Sequence, residues 1–163
     1  MKKILFILMA MMVFGVQNIS AQDAPMKIVT NHPDFNIKVK RCAASGKTVI
    51  LDLILTNEGT NDVENVFVYG GWSNHSEAYD DQGNIYQNDA IAVKVANRNE
   101  YSCGDTGRFN IPTGVPMRLS VRIDGVPTAA ESIARFKLFV NCSAWNLNDE
   151  KPVLFRNIPI TRN

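Results

Sequence analysis

Four aromatic or imidazole side chains lie close together in the sequence, just after a pair of glycines. Following Gly70-Gly71, within a stretch rich in Asn, Ser and Asp, come Trp72, His75, Tyr79 and Tyr86. Exposed aromatic rings beside polar groups can stack on sugars or anchor a protein partner. The sequence therefore predicts a binding surface here, with Trp72 carried to a loop end by the glycine break. The alternative is that Trp72 and Tyr79 close one end of the hydrophobic core.

The same stretch carries the main group of acidic side chains, within the segment Glu77–Asp89. Two carboxylates on either side of a glycosidic bond are the usual catalytic pair of glycoside hydrolases, so a hydrolase using this loop, with Glu77 and Asp80 as the pair, is the enzymatic alternative. Asp80, Asp81 and Asn84, together with Asp89, could also ligate Ca²⁺, but the DxDxDG order and terminal Glu of an EF-hand are missing. We expect instead a hairpin turn in which Asp and Asn side chains bind the backbone.

Other catalytic and metal-binding patterns are not present in the sequence. The two histidines, His32 and His75, each lie beside turn residues, and no GxSxG motif is available to position a nucleophilic serine. No CxxC pair occurs, so a zinc site built from thiolates is not indicated. We therefore expect a protein without catalytic residues, metal or cofactor.

The chain has three cysteines, which in an exported protein suggests one disulfide and one remaining thiol. Cys142 follows Val140 at even spacing and should point into the core. Cys42 lies in the segment that turns the chain into the longest strand, and Cys103 precedes a strand expected to run antiparallel to it. This return places Cys103 near the end that holds Cys42. We predict a Cys42–Cys103 disulfide, which would stabilise the domain by about 4 kcal/mol.

Residues 1–21 have the pattern of an export signal. Lys2 and Lys3 precede an apolar run from Ile4 to Val16, and Ile19-Ser20-Ala21 is typical of a cleavage site. We expect cleavage after Ala21, which leaves residues 22–163 as one periplasmic or extracellular domain. The run of Met and Leu ending in Ala-Gln resembles the export signals of Bacteroides-like bacteria.

The charge balance excludes some classes of partner. Without the two signal lysines, 15 of the 17 basic residues remain against 16 acidic ones, so the mature chain is close to neutral. Nucleic-acid binding depends mainly on a strong positive field, which this composition does not indicate. No later apolar stretch approaches ~20 residues, so we expect no membrane insertion after signal cleavage.

The elements that must position these residues are β-strands. The clearest is Lys47 to Asn57, where alternate apolar residues fall on one face: Val49, Leu51, Leu53 and Leu55. At ~3.3 Å per residue this strand spans roughly 36 Å, enough to cross a small domain. We expect it to lie in the middle of a sheet that a second layer covers.

Similar alternation recurs along the rest of the chain, as in Phe35 to Val39, Ile91 to Val95, Met117 to Ile123 and Ala134 to Val140. In the last of these segments, Ala134 is predicted to point into the core, on the same face of the strand as Phe136. About eight to ten short strands separated by turns predict an all-β, two-sheet antiparallel sandwich.

Three turn regions carry a family resemblance: Leu55-Thr56-Asn57 before a polar turn, the hairpin Asp80 to Asn84, and Ile111 to Pro116 leading into a strand. In these motifs, over most of residues 35–160, the chain is similar to the immunoglobulin-like domains of secreted and surface bacterial antigens. Those proteins often carry a lipid-anchor cysteine and a polar tether, and this chain has neither. The resemblance implies an immunoglobulin-like fold and supplies no catalytic residues.

The function expected from these patterns is non-catalytic binding by an exported domain, with an envelope protein or a glycan as the ligand. The alternatives are the hydrolase described above and a purely structural envelope protein.

Overall fold

The structure, a computed structural model, describes residues 24–98, 100–142 and 152–162. Over these ranges the chain forms twelve β-strands arranged in two sheets. The only helical segment in the described ranges is a 3₁₀ turn at Trp72–Asn74. The prediction of an all-β chain with two sheets is confirmed. No helix within these ranges is long and apolar enough to cross a membrane.

One sheet has five strands, and the longest predicted strand is at its centre. In spatial order it contains β12 (Thr161–Arg162), β2 (Phe35–Ser45), β3 (Thr48–Asn57), β9 (Pro116–Asp124) and β7 (Ile91–Val95). All of its pairings are antiparallel except that of β12 with β2, which is parallel.

The central strand β3 follows the predicted alternation along its whole length. Its inward residues Val49, Leu51, Leu53 and Leu55 are fully buried, and the residues between them are partly exposed. Each fully buried leucine contributes about 1.5–3 kcal/mol relative to an exposed one. The strand before it, β2, continues to Ser45, so the chain turns at Gly46 (φ 58°) and Lys47 rather than from Cys42 onward.

The other sheet has seven strands. Its main path is β1 (Lys27–Val29), β11 (Val153–Pro159), β10 (Ser132–Cys142), β4 (Val63–Tyr69) and β8 (Phe109–Ile111). The strand β5 (Glu77–Asp80) also pairs with β10, and β6 (Ile85–Tyr86) pairs with β5. In β10 the register shifts between Ile133 and Arg135, and this irregularity buries Ile133 in place of the predicted Ala134.

A single hydrophobic core takes side chains from both sheets. The central strand of the five-stranded sheet supplies Leu51 and Leu53, and the seven-stranded sheet supplies Phe136 and Phe155. These two phenyl rings stack with their centroids 5.5 Å apart. Each sheet therefore has one face in this core and one outer face on which binding residues can lie.

Candidate binding surfaces

At the predicted break, Gly70-Gly71, the chain that pairs with one edge of β10 is interrupted between β4 and β5. Tyr69 at the end of β4 pairs with Phe139, and Glu77 at the start of β5 pairs with Lys137. Residues 70–76 therefore stand opposite the single residue Leu138, and they must leave the sheet. We call this segment the excursion.

Backbone hydrogen bonds tie the excursion to the edge of the other sheet. Gly71 N donates to Ile91 O (2.9 Å), and Trp72 N donates to Cys103 O (3.0 Å). Gly70 N donates to Gly104 O (3.1 Å). A Cβ on Gly70 would lie 2.6 Å from Cys103 O, and one on Gly71 would collide with Asn88. Both positions therefore need glycine because the two backbones approach so closely.

Ser76 closes the excursion at its base. Its fully buried hydroxyl donates to Tyr69 O (2.6 Å) and accepts from Phe139 N (3.0 Å), and its own N donates to Gly70 O (2.9 Å). These bonds satisfy backbone groups that the interrupted ladder would otherwise leave without partners. Sequence reasoning missed this residue, because a lone serine between His75 and Glu77 carries no pattern.

The indole of Trp72 lies at the tip of this braced segment and is 60% exposed. The turn that carries it contains Ser73 and Asn74 with positive φ values of 52° and 61°. The structure thus places Trp72 outside the core, as the glycine break predicts, and the alternative in which it closes the end of the core does not hold.

His75 connects this turn to the sheet. Its ring stacks on Tyr69 with centroids 4.4 Å apart and meets Phe139 edge-on at 4.9 Å. Its Nδ1 lies 2.8 Å from Trp72 O. We call the exposed indole of Trp72, together with Asn74 and His75, the Trp72 surface.

The two predicted tyrosines lie on opposite sides of the seven-stranded sheet. Tyr79 is on the outer face, where the Arg135 guanidinium lies 5.8 Å from its ring centroid. Tyr86 is 5% exposed, and its hydroxyl donates to Asp80 Oδ2 (2.7 Å). Trp72, His75 and Tyr79 are therefore reachable from outside, whereas Tyr86 belongs to the core and does not join them.

The Asp80 carboxylate organises the hairpin between β5 and β6. Its Oδ1 accepts from Gln82 N (3.0 Å) and Asn84 N (2.8 Å), and its Oδ2 accepts from Asn84 Nδ2 (2.9 Å) and from Tyr86. Burial by itself would raise the pKa of Asp80, but these hydrogen bonds outweigh it and lower the pKa. The Asp80 side chain binds the hairpin backbone, as predicted, whereas the Asn84 side chain binds the Asp80 carboxylate and not the backbone. No group of potential metal ligands occurs among the described residues.

The carboxylates proposed for a hydrolase do not face each other. Glu77 points to the outer face, where its Oε1 lies 3.6 Å from Lys137 Nζ, while Asp80 is buried on the inner side of the same strand. Residues three apart in a strand fall on opposite faces. These two groups therefore form no carboxylate pair of the kind that glycoside hydrolysis requires.

The predicted Cys42–Cys103 disulfide is not formed in the structure. The sheet register places Cys42 opposite Leu51, Leu51 opposite Val121, and Val121 opposite Val93, which bridges to Ser102. Cys103 thus lies at the predicted level along the strands but four strand spacings away, roughly 19 Å. A disulfide needs Cα atoms within about 7 Å.

Both thiols have raised pKa values. Burial raises the pKa of Cys42 to about 12, against a smaller opposing effect of Arg162. Burial and, to a lesser degree, the Asp89 carboxylate raise the pKa of Cys103. Neither environment activates a thiolate nucleophile, which would require a lowered pKa. Cys142 is buried on β10, as expected.

A groove runs across the outer face of the five-stranded sheet. It has a volume of about 560 Å³ and is lined by polar and basic side chains that include Lys40, Arg41, Asp52, Lys94, Tyr101, Arg118 and Ser120. The strand register explains the convergence, since Arg41, Asp52, Ser120 and Lys94 form one row across four strands. Ile54 and Arg118 belong to the next row. We call this feature the basic groove.

Hydrogen bonds fix the centre of the basic groove. Arg41 donates to Asp52 Oδ2 from Nε (2.9 Å), with Nη2 at 2.7 Å from the same oxygen, and Ser120 Oγ donates to Asp52 Oδ1 (2.8 Å). Tyr101 Oη lies 3.0 Å from Ser120 Oγ. Because the single Ser120 proton goes to Asp52, the Tyr101 hydroxyl is the donor in that pair.

Two cations hold the Tyr101 ring in place. Lys94 Nζ lies 4.9 Å from its centroid and the Arg122 guanidinium 5.2 Å from it. Arg122 is also paired with Asp124, with Nε and Oδ2 2.9 Å apart. Within the described ranges, no ion pair is recorded for Lys40, Lys94 or Arg118. Sequence reasoning missed the groove, although basic residues at alternate outward positions of β2 and β9 were a visible signal.

Comparisons with known proteins add little to this geometry. The sequence matches no protein-family model and no curated protein. Among solved structures it is similar to a family 123 glycoside hydrolase from Clostridium perfringens, studied for glycolipid glycan hydrolysis, with a TM-score of 0.41 and 10% identity. The match covers 74% of this chain and 21% of that enzyme, so the chain spans about a fifth of the enzyme's length. A similarity this small transfers neither substrate nor reaction.

Proposed function

We propose that this chain is an exported, non-catalytic binding domain with an immunoglobulin-like arrangement of its two sheets, and that it binds an envelope protein or a glycan. The observation that carries the proposal is the 60% exposed indole of Trp72 at the tip of the braced excursion. A tryptophan held in this way offers a large apolar area at little cost in conformational entropy. Residues of this type dominate the binding energy of many interfaces.

The surroundings of Trp72 support recognition. Asn74 and His75 add polar groups beside an apolar ring, a combination that interface residues share. Tyr79 continues the same outer face beyond Lys137, whose Nζ donates to Asn74 O (3.2 Å). Because His75 is stacked on Tyr69, the surface is largely formed before a ligand arrives, and preorganisation lowers the cost of binding.

The immunoglobulin-like arrangement is supported by the dominance of antiparallel pairing and by a core shared between two sheets.

Export is supported by the charged and apolar pattern of residues 1–21, which lie outside the described ranges. Mass spectrometry of the native protein tests export directly. We expect Gln22 at the N-terminus, and recovery of intact Met1 would contradict it.

The binding proposal is tested by Trp72→Ala, with Ile85→Ala as the matched control. Ile85 is a large apolar side chain with a similar exposure of 58%, and it lies in the β6 hairpin. Both variants should keep the melting temperature within a few degrees, because neither side chain belongs to the core. A glycan array and purified envelope proteins should then show a loss of at least about tenfold in affinity for Trp72→Ala alone.

Two results would contradict the proposal. Equal affinities of the two variants for every ligand would show that Trp72 takes no part in binding. Failure of the unmodified protein to bind any glycan or envelope protein would favour the purely structural alternative.

A further inference from the structure

The basic groove is a second surface, and its chemistry differs from that of the Trp72 surface. It lies on the outer face of the five-stranded sheet, whereas Trp72 lies where the edge of that sheet meets the seven-stranded one. The mature chain is close to neutral, so the accumulation of Lys40, Arg41, Lys94 and Arg118 in one groove is a local property. Against these four cations the groove holds one carboxylate, Asp52, so it has an excess of positive charge that concentrates anionic ligands.

We propose that the basic groove binds an acidic glycan, meaning a polysaccharide whose sugars carry carboxylate groups. The two strongest attachment points are Lys94 and Arg118. They lie on neighbouring strands in diagonal positions, since Lys94 pairs with Ser120, two residues beyond Arg118. Such diagonal neighbours are roughly 7–8 Å apart at Cα, so both long side chains can reach one carboxylate.

The pattern of ion pairs around the groove leaves Lys94 and Arg118 available for an external anion. Arg41 is already paired with Asp52, and Arg122 is already paired with Asp124. Lys94 and Arg118, by contrast, have no ion pair recorded within the described ranges. The ring of Tyr101 positions Lys94 by a cation–π contact at 4.9 Å, so the lysine is directed into the groove before a ligand arrives.

The centre of the groove favours a sugar over a densely charged polyanion. The Asp52 carboxylate has a side-chain exposure of 22%, and it retains acceptor capacity on Oδ1 beside its bond from Ser120. The oxygen of the Tyr101 hydroxyl can also accept a hydrogen bond. Sugar hydroxyls can donate to both groups, whereas ionised phosphodiester and sulfate groups carry only acceptor oxygens and have no proton to donate to the Asp52 carboxylate.

Nucleic acid fits the groove less well for a further reason. Single-stranded binding sites combine a basic track with aromatic rings on which bases stack. The only aromatic ring lining the described groove is Tyr101, and Lys94 and Arg122 already occupy positions over it. Recognition here must therefore depend on charge and hydrogen bonds, which suits a carboxylated sugar chain.

The test is calorimetric titration of the mature protein with polygalacturonate oligosaccharides at low salt. Fully methyl-esterified oligosaccharides of the same length serve as the neutral control, and dextran sulfate and single-stranded DNA as competing polyanions. We expect binding of the carboxylate form only, or at least tenfold tighter than of any other probe. The affinity should fall as salt is raised, because the interaction is an exposed ionic one.

The matched variants are Lys94→Ala/Arg118→Ala in the groove and Arg135→Ala/Arg156→Ala on the outer face of the other sheet. Both double variants remove two positive charges, and Arg135 pairs with Arg156 in the sheet register. The groove variant should lose at least tenfold in affinity, and the control variant less than threefold. Asp52→Asn should raise the affinity for dextran sulfate relative to that for polygalacturonate.

Three results would overturn the inference. Equal losses in the two double variants would show diffuse attraction rather than a site. Equal or tighter binding of dextran sulfate or DNA would replace the acidic glycan by a general polyanion. Absence of binding to every probe would show that the basic groove is not an anion-binding site. None of these outcomes depends on Trp72, so the inference and the function proposed above fail separately.

Discussion

The hydroxyl of Ser76 donates a 2.6 Å hydrogen bond to the carbonyl of Tyr69, and it also accepts from the backbone of the neighbouring strand at Phe139. This pairing lets the chain leave the seven-stranded sheet for residues 70–76 and return to the same edge of β10. The exposed position of Trp72 is therefore a consequence of how the base of the excursion is closed.

Replacing Ser76 should destabilise the fold more than its size suggests. Ser76→Ala leaves the Tyr69 carbonyl and the Phe139 amide without this partner in a buried region, and each such loss costs about 1–3 kcal/mol. Urea denaturation should show a decrease of about 2 kcal/mol or more in the free energy of unfolding. Ser73→Ala, at an exposed position of the same excursion, is the control and should change it little. Equal effects of the two substitutions would show that Ser76 does not close the excursion.

The central position of β3 predicts a large cost for truncating its core residues. Leu53 is fully buried, so Leu53→Ala should lower the free energy of unfolding by about 2–5 kcal/mol. Lys38→Ala, on an exposed outward position of the adjacent strand β2, should cost less than about 0.5 kcal/mol. Small and similar losses in denaturant titrations of the two variants would argue against β3 as the centre of the sheet.

The lowered pKa of Asp80 predicts a specific loss of stability in acid. Its stabilising effect is fully present above the pKa of an unfolded aspartate, about 3.9, and is lost as the pH falls through the lower folded value. Unfolding free energies measured between pH 7 and pH 2 should therefore decline below about pH 4 in the unmodified protein. Asp80→Asn should be less stable at pH 7 and should show a weaker decline.

Asp89→Asn is the control for this experiment, because Asp89 is exposed and no hydrogen bond to its carboxylate is recorded in the described ranges. Because this variant keeps the hydrogen bonds of Asp80, it should retain the acid decline that Asp80→Asn weakens. An identical acid decline in Asp80→Asn and in the unmodified protein would assign the effect to other carboxylates.

The positions of the cysteines predict an ordered reaction with alkylating agents. Cys103 is partly exposed, whereas Cys42 is buried with its pKa raised to about 12. Iodoacetamide at pH 8.5 should therefore modify Cys103 first and Cys42 at least ~100-fold more slowly until the protein unfolds. Peptide mapping without reducing agent should find no Cys42–Cys103 link, and finding one would contradict the strand register of the five-stranded sheet.

Alternation along single strands was readable from the sequence, because side-chain direction in a strand is a local property of the backbone. The buried face of β3 and the break at Gly70-Gly71 were both predicted in this way. The exposure of Trp72 followed from the break, since two glycines permit a close approach that no other residue allows. Tyr86 was misplaced because its aromatic character was taken as a sign of exposure, while its position in the short strand β6 directs it inward.

Which strands become neighbours was decided only by the tertiary structure. Cys42 and Cys103 lie at one level along the strands, as the antiparallel return predicted, but β3, β9 and β7 stand between them. The basic groove has the same origin, because its cations come from β2, β7 and β9, which are far apart in the chain. Net charge averages over the whole molecule and conceals such a face. Side-chain direction is set within a few residues of the backbone, whereas convergence depends on strand pairing across long stretches of sequence, which no local pattern encodes.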